Sequence, residues 1–222
     1  MYEPAFTIFI EPITGRFLII PLSLKIAVYK RTDNNGVTEY ALVNKGTTPS
    51  NLLNWVNNAL GLDGKSLDAL FSISFAIGFQ NKHGGREGAE ITMIGHSKGG
   101  GEAIYNAIAT TTNCITFNPA PTDITAYFLL EKQKEYRTEL AAGTRTMVHH
   151  IVQGEILNSL FGNPVIGTVN PISTQFYISV PVFVLVPVPF SSIFIPVIVG
   201  VVYVPDPIQN HSMKAIKKAW GL

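Results

Sequence analysis

The sequence predicts an α/β fold in which a mostly parallel central sheet is flanked by helices. Short runs of β-forming residues alternate with stretches of helical periodicity, and this order of strand, helix and strand is typical of a parallel sheet with right-handed crossovers. Ligands of such sheets bind beyond the carboxyl ends of the strands. We interpret residues 1–222 as a single domain, because a chain of this length can bury one sizeable core.

The charge composition argues against a nucleic acid as partner. Lys and Arg number 16 against 15 Asp and Glu, which gives a net charge of +1. Hydrophobic residues make up 46% of the chain, and the mean hydropathy is +0.25. The single cysteine, Cys114, excludes an intrachain disulfide framework and is expected in the core. No signal-peptide pattern is visible, so we leave open a cytoplasmic, a non-classically exported and a membrane-associated location.

The first third of the chain predicts edge structure, a β-hairpin and two helices. Residues 1–24 are apolar and interrupted by proline, which favours irregular or edge structure. Two strands are predicted at 25–30 and 39–44, joined by a turn at Asp33–Gly36. Helices are predicted at 49–60 and 66–78.

A candidate nucleophile lies in the middle of the chain. Residues 91–94 form a short strand pattern, and Gly95-His-Ser97-Lys-Gly99 follows without a linker. A helix with an apolar face comes next, and strand, Gly-x-Ser-x-Gly and helix together form the nucleophile elbow. The two glycines allow the strand and the helix to approach closely, so that the hydroxyl of Ser97 is presented above the sheet at a helix N-terminus.

The second half of the chain contains an uncharged segment among further strands and helices. Strands are predicted at 114–117 and 147–152 and a charged helix at 125–142. Residues 178–204 carry no charge over 27 positions, which is long enough to span a bilayer. Four prolines and many β-branched residues favour instead an apolar, proline-rich β-hairpin or loop insertion, packed on the domain or dipping into lipid.

A serine nucleophile requires a base and an orienting acid, which in this fold follow in the order Ser, Asp or Glu, His. His211 lies in a predicted loop before the last helix and is the preferred base, since the other histidines precede the serine or lie within a strand. Glu155 follows the second strand after the elbow and is the preferred acid. Asp123 and Asp206 remain alternatives.

Five segments of the sequence resemble fungal-type (class 3) lipases of the α/β-hydrolase superfamily in both order and spacing. They are Tyr40–Thr47, Asn54-Trp55, Thr92–Gly100, Phe117–Ala120 and His211–Met213. Bacterial relatives of that family often carry Lys after the serine, as this chain does in Gly-His-Ser-Lys-Gly-Gly. The resemblance covers roughly residues 25–222.

The resemblance implies an esterase or lipase, including phospholipase A1-like members, with no metal and no organic cofactor. Ser97, His211 and Glu155 would form the triad, although the family mostly uses Asp as the acid. The backbone N–H groups of Thr47 and Lys98 would form the oxyanion hole. The segment that matches the lid helix would contact substrate through its apolar side chains: Leu52, Leu53, Trp55 and Val56. An ordinary packed surface helix is the alternative for this segment.

The predicted function is therefore cleavage of lipid carboxylic esters through an acyl-enzyme intermediate. The expected partners are a lipid or other acyl-ester substrate and a membrane surface. Two alternatives remain open from the sequence. One is a membrane-associating, lipid-binding protein on an inactive hydrolase scaffold, and the other is a thioesterase or peptidase with the same triad.

Overall fold

The computed structural model describes residues 3–9, 13–15, 18–20, 24–32, 34–46, 67–84, 89–122, 129–187 and 194–222. The strands are β1 (Glu3–Phe9), β2 (Ile13–Gly15), β3 (Leu18–Ile20), β4 (Lys25–Thr32), β5 (Thr38–Asn44), β6 (Glu90–His96), β7 (Asn113–Phe117), β8 (Met147–Val152), β9 (Thr168–Ile172), β10 (Tyr177–Pro187) and β11 (Phe194–Pro205). The helices are α1 (Leu67–His83), α2 (Lys98–Thr110), α3 (Leu130–Ala141), α4 (Ile156–Phe161), α5 (Pro207–His211) and α6 (Met213–Ala219).

Seven of these strands form the main sheet, in the order β1-β4-β5-β6-β7-β8-β9. β5 to β9 run parallel to one another. β1 and β4 extend the sheet in antiparallel pairing, and β1 is its edge strand. The mostly parallel sheet flanked by helices confirms the predicted α/β-hydrolase-like fold. The carboxyl ends of β6, β7 and β8 consequently meet at one edge of the sheet, where the candidate site lies.

Helix α2 is the centre of the packing. It contacts β6 and β7 as well as α1 and α3, and Ala103, Ile104, Ala107 and Ile108 are at most 1% exposed. These are the residues whose helical spacing predicted an apolar face. Because α2 is buried on almost every side, its first turn and the residue before it are held in a fixed position.

Several strands and helices have boundaries that differ from the sequence prediction by one or more residues. The helix predicted at 66–78 extends to His83, since a single exposed glycine at position 78 does not stop a helix that gains tertiary contacts. The elbow strand is longer than 91–94, at Glu90–His96. Helix α3 is described from Leu130 rather than 125, and residues 123–128 lie outside the described part.

The uncharged segment forms an antiparallel two-stranded ribbon, β10–β11, which is a sheet separate from the main one. The structure therefore confirms a proline-containing β-hairpin at 178–204. Among the described residues, none of the helices combines the length and the apolar character needed to cross a bilayer.

Candidate active site

Ser97 lies in a strained turn between β6 and α2. Its backbone has φ 57° and ψ −127°, a left-handed region that non-glycine residues adopt only when the surrounding structure imposes it. The flanking glycines explain how the turn closes. A Cβ at Gly95 would lie 2.0 Å from the carbonyl oxygen of Gly99, and a Cβ at Gly99 would lie 2.3 Å from that of Asn44. Strand and helix are therefore closer than any side chain permits.

The hydroxyl of Ser97 is left without a partner while its backbone is fully engaged. The N–H of Ser97 donates to the carbonyl of Phe117, and its carbonyl accepts from Gly100 and Ala120, all at 2.8–3.1 Å. The side chain is buried, and among the described residues no group forms a hydrogen bond with its Oγ. A buried hydroxyl without a hydrogen bond is costly, and such groups occur where chemistry requires them.

Glu155 and His211 form a buried pair although 56 positions separate them in sequence. His211 Nδ1 donates to Glu155 Oε2 at 2.5 Å, and the residues are 6% and 0% exposed. Glu155 also caps helix α4, where it accepts hydrogen bonds from the backbone N–H groups of Leu157 and Asn158 and from the Asn158 side chain. The carboxylate thus has donors on both oxygens.

Glu155 is ionised in this environment. Burial on its own would raise the pKa of the carboxyl, but the hydrogen bond and positive charge of His211 and the donors of Asn158 outweigh it. The pKa of Glu155 is therefore lowered. An ionised acceptor at Nδ1 fixes the imidazole tautomer in which Nε2 is available to accept a proton.

Two hydrogen bonds connect the backbone of His211 to the elbow. His96, the residue before Ser97, contacts the carbonyl oxygen of His211 through Nε2 at 2.7 Å, and the two rings are 5.1 Å apart. Asn118, directly after β7, donates to the same carbonyl at 3.0 Å and accepts from the N–H of Val152. His211 ends helix α5 instead of lying in a loop as predicted, because Asp206 and Pro207 start a short helix before it.

His96 is neutral at physiological pH. Burial and the adjacent charge of His211 lower its pKa to about 4. The hydrogen bond to a carbonyl oxygen then requires the proton on Nε2.

The alternative acids and the remaining predicted residues have different outcomes. Asp206 caps α5 and accepts from the N–H groups of Ile208 and Gln209, so the structure brings Glu155, and not Asp206, to His211. Asp123 and Thr47 lie outside the described residues. The same holds for the predicted lid side chains, Leu52, Leu53, Trp55 and Val56.

Lys98 begins α2, and its side chain lies mostly buried in the protein interior. Its N–H is the first of α2, a position with no acceptor inside the helix. Its ammonium group forms an ion pair with Asp68 at the start of α1 and lies 3.7 Å from Glu102. Glu102 in turn accepts from Asn44 at the end of β5. This network was not predicted, although the i, i+4 spacing of Lys98 and Glu102 on a buried helix was a signal for it.

Burial raises the pKa of Glu102 to about 7, against the opposing effect of Lys98. The residue is 1% exposed. The pKa of Glu102 thus lies near neutral pH, and the residue is one helical turn after Lys98.

Within the described ranges, we find no group of three or more His, Cys, Asp or Glu side chains arranged to hold a metal ion.

Asn210 is a further residue that the sequence did not indicate. Its side chain accepts from the N–H groups of Gln175 and Phe176 and donates to the Phe176 carbonyl. Asn210 precedes His211 directly, so these hydrogen bonds connect His211 to Gln175 and Phe176, the two residues before β10 at the root of the β10–β11 ribbon.

A lipase and an esterase are among the solved structures similar to this chain. The crystal structure of M37 lipase superposes with a TM-score of 0.39 at 16% identity, over 63% of this chain and 51% of the lipase. Acetyl xylan esterase 1 from Thermoanaerobacterium sp. JW/SL YS485 superposes with a TM-score of 0.30 at 11% identity, over 77% of this chain and 81% of the esterase. The chain thus spans about half the length of the lipase. No curated protein matches the sequence.

A family assignment comes from the sequence itself. The phospholipase-like family described as a Tle-like phospholipase domain matches residues 14–170, which is more than half of the 222 residues. The match includes Ser97 and Glu155. The chain therefore belongs to the phospholipase-like family with a Tle-like phospholipase domain.

Proposed function

We propose that this protein is a serine hydrolase that cleaves carboxylic esters of lipids, with Ser97 as nucleophile, His211 as base and Glu155 as the orienting acid. The observation that carries the proposal is the buried Glu155–His211 pair. The carbonyl of His211 is hydrogen-bonded to His96, the residue before Ser97, and the Ser97 hydroxyl has no hydrogen-bond partner among the described residues. Membership of a phospholipase-like family supports a phospholipid as substrate. The resemblance to class 3 lipases favours phospholipase A1-like cleavage.

The first half of the reaction forms an acyl-enzyme. The Oγ of Ser97 attacks the ester carbonyl carbon while Nε2 of His211 takes the hydroxyl proton. The carbonyl oxygen becomes an oxyanion as the C–O bond forms. When the intermediate collapses, the ester C–O bond breaks and His211 delivers its proton to the departing alcohol. Glu155 stabilises the imidazolium throughout and remains ionised.

Hydrolysis of the acyl-enzyme repeats these steps with water. His211 removes a proton from water, the hydroxide oxygen attacks the acyl carbon, and the proton returns to Ser97 as the carboxylic acid leaves. The N–H groups of Lys98 and Thr47 are the proposed donors to both oxyanions. Loss of one such donor costs about 10²–10³ in turnover. The ion pair of Lys98 with Asp68 supports this role, because it anchors the first turn of α2.

A second candidate is a lipid-binding protein on an inactive scaffold. The exposed apolar ribbon β10–β11 favours it. This candidate predicts membrane binding that survives loss of Ser97 and no reaction of the wild type with a serine-directed reagent.

Fluorophosphonate labelling tests the proposal. The wild type should be labelled, Ser97→Ala should not be, and His211→Ala should react far more slowly. Ser159→Ala is the matched control, because this serine is exposed and far from the elbow in sequence. If the folded wild type stays unlabelled both with and without detergent micelles, the proposal of a serine hydrolase is refuted.

Substrate class follows from hydrolysis of p-nitrophenyl esters of increasing chain length, and then from the products of a phospholipid with two different acyl chains. We expect activity to rise with chain length and on micelles, and the sn-1 chain to be released. A preference for acetyl esters with no gain on micelles would contradict the lipid assignment. Release of the sn-2 chain would contradict the A1-like specificity alone.

A further inference from the structure

The β10–β11 ribbon has an unusual surface for a protein in water. Both strands are described over their whole backbone, and residues 178–204 include no charged side chain. The described side chains near its root are exposed: Ile178 42%, Val201 53%, Val202 49% and Tyr203 75%. Exposed apolar surface on this scale marks a site of interaction.

The exposed residues lie on both faces of the ribbon. Successive residues of a strand point to opposite sides, and Val201, Val202 and Tyr203 are consecutive. A protein that bound one face would leave the other in water. At a bilayer interface one face of the ribbon meets acyl chains and the other meets head groups, so both faces are covered.

Positive charge lies at the root of the ribbon. Lys214, Lys217 and Lys218 are all exposed on α6. Lys218 Nζ lies 4.5 Å and Lys214 Nζ 5.7 Å from the ring centroid of Phe176, the residue before β10. Asp206 is the only acidic residue in the sequence from 172 to 222, and it is buried as the cap of α5.

The lysines border an open pocket of about 790 Å³ whose other walls include Phe176 and Met213. Cationic side chains beside apolar walls complement an anionic head group with attached hydrocarbon. Tyr177 is also exposed, at the start of β10, where it pairs with Pro205, and Trp220, directly after α6, is 48% exposed. Tyr and Trp favour the membrane–water interface.

We propose that the β10–β11 ribbon and the lysines of α6 form a docking element for an anionic lipid bilayer. The ribbon enters the boundary between head groups and acyl chains, and Lys214, Lys217 and Lys218 bind lipid phosphates. Strand β10 has 11 residues, about 36 Å in length. Neither outer edge of the ribbon pairs with another strand in the described part of the chain. Because hydrocarbon does not tolerate unpaired backbone groups, the ribbon lies along the interface instead of crossing the bilayer.

Docking at this surface positions the candidate active site. Asn210, next to His211, is hydrogen-bonded to the backbone of Gln175 and Phe176, so the proposed base is connected to the residues that lead into the ribbon. This consequence rests on the proposed function, since it supplies substrate to Ser97 from the bilayer. Membrane binding itself does not depend on catalysis.

Vesicle flotation with the Ser97→Ala protein measures binding without consuming lipid. We expect binding to vesicles that contain phosphatidylglycerol, weaker binding to pure phosphatidylcholine, and a decline with added salt. The triple variant Lys214→Gln, Lys217→Gln, Lys218→Gln should partition roughly 10²-fold more weakly. Its control, Lys132→Gln, Lys134→Gln, Arg137→Gln, removes the same charge from α3 and should bind as the parent does.

Val201→Asp should abolish binding, because it places a charge on the ribbon, whereas Val37→Asp in the β4–β5 turn is the matched control. Val37 is 52% exposed, close to Val201, so neither change disturbs the core. Introduced into the wild type instead of the Ser97→Ala protein, both changes should leave hydrolysis of a soluble ester at the wild-type rate. Binding that survives Val201→Asp would overturn the proposal. So would a dimer that Val201→Asp dissociates in the absence of any vesicle binding.

A depth probe gives an independent readout. Cys114 is the only cysteine and is fully buried, so Ile198→Cys can be labelled with an environment-sensitive dye. A blue shift on anionic vesicles, absent from a label at Val37→Cys, is expected, and no shift would overturn the proposal. Vesicle binding without fluorophosphonate labelling of the wild type would support membrane docking and refute the proposed catalysis. Labelling without vesicle binding would support the proposed catalysis and refute membrane docking.

Discussion

Replacing Glu155 by glutamine tests the pairing on which the proposed mechanism depends. Each oxygen of the carboxylate accepts two hydrogen bonds. Oε2 accepts from the N–H of Leu157 and from His211 Nδ1, and Oε1 accepts from the backbone and side chain of Asn158. Glutamine offers one oxygen and one NH₂ group, so it cannot accept at both positions.

Either orientation of the new amide is unfavourable. With NH₂ toward His211, Nδ1 must become the acceptor and its proton moves to Nε2, which can then no longer accept the proton of Ser97. With NH₂ toward Asn158, a buried N–H loses its acceptor at a cost of about 1–3 kcal/mol in the free energy of unfolding. Loss of the orienting carboxylate in a triad lowers kcat about 10⁴-fold, and we expect a decrease of this size for Glu155→Gln.

The assay is kcat on a soluble p-nitrophenyl ester, together with the thermal unfolding midpoint. Glu131→Gln is the control, because its side chain is 85% exposed, and it should leave both quantities unchanged. Glu155→Asp keeps the charge and should retain more activity than Glu155→Gln. A folded Glu155→Gln within tenfold of the wild type would refute the assignment. If Asp123→Asn then lost activity instead, Asp123 would be the acid.

Three further predictions concern stability around the elbow. Gly95→Ala should cost about 3 kcal/mol or more in the free energy of unfolding, since its Cβ would meet the Gly99 carbonyl oxygen at 2.0 Å. The pKa of His96 is about 4 in the folded state, against 6.5 in the unfolded chain. The free energy of unfolding should therefore be about 3 kcal/mol higher above pH 6.5 than in acid, and this difference is lost as the pH falls through 4. His96→Asn should remove this part of the acid dependence. The pKa of Glu102 is about 7 in the folded state, against 4.5 in the unfolded chain. Its contribution to the free energy of unfolding is fully present below pH 4.5, and up to about 3 kcal/mol is lost as the pH rises through 7. Glu102→Gln should therefore be more stable than the wild type at alkaline pH, relative to their difference at acid pH. Denaturant titrations at a series of pH values measure all three.

Each of these measurements has a control. Gly78→Ala, at an exposed helical position where a Cβ meets nothing within 4 Å, should stabilise α1 by about 0.5–1 kcal/mol. If Gly95→Ala changed the free energy of unfolding by the same amount as Gly78→Ala, the close approach of strand and helix at the elbow would be contradicted. Unfolding free energies of His96→Asn and Glu102→Gln that follow the pH dependence of the wild type would show that these groups are not buried as described.

The sequence predicted the local features of this protein because local chemistry determines them. Alternating strand and helix patterns indicated the parallel sheet, and Gly95-x-Ser97-x-Gly99 indicated a turn that only glycine permits at both flanks. Proline and β-branched residues indicated a hairpin at 178–204 instead of a helix. Chain order alone favoured His211 and Glu155.

Contacts between distant segments required the tertiary structure. Asn44, Asp68 and Glu102 carry no motif, and their network with Lys98 exists only because β5, α1 and α2 meet at one place. Helix α4 and strand β9 were not predicted, since an edge strand that contains Pro171 has a weak pattern. Periodicity reports which face of an element is buried, whereas the partner across that face depends on how the whole chain closes around its core. The sequence therefore determined the elbow and the chain order of the candidate triad residues, and the fold decided which described carboxylate meets His211.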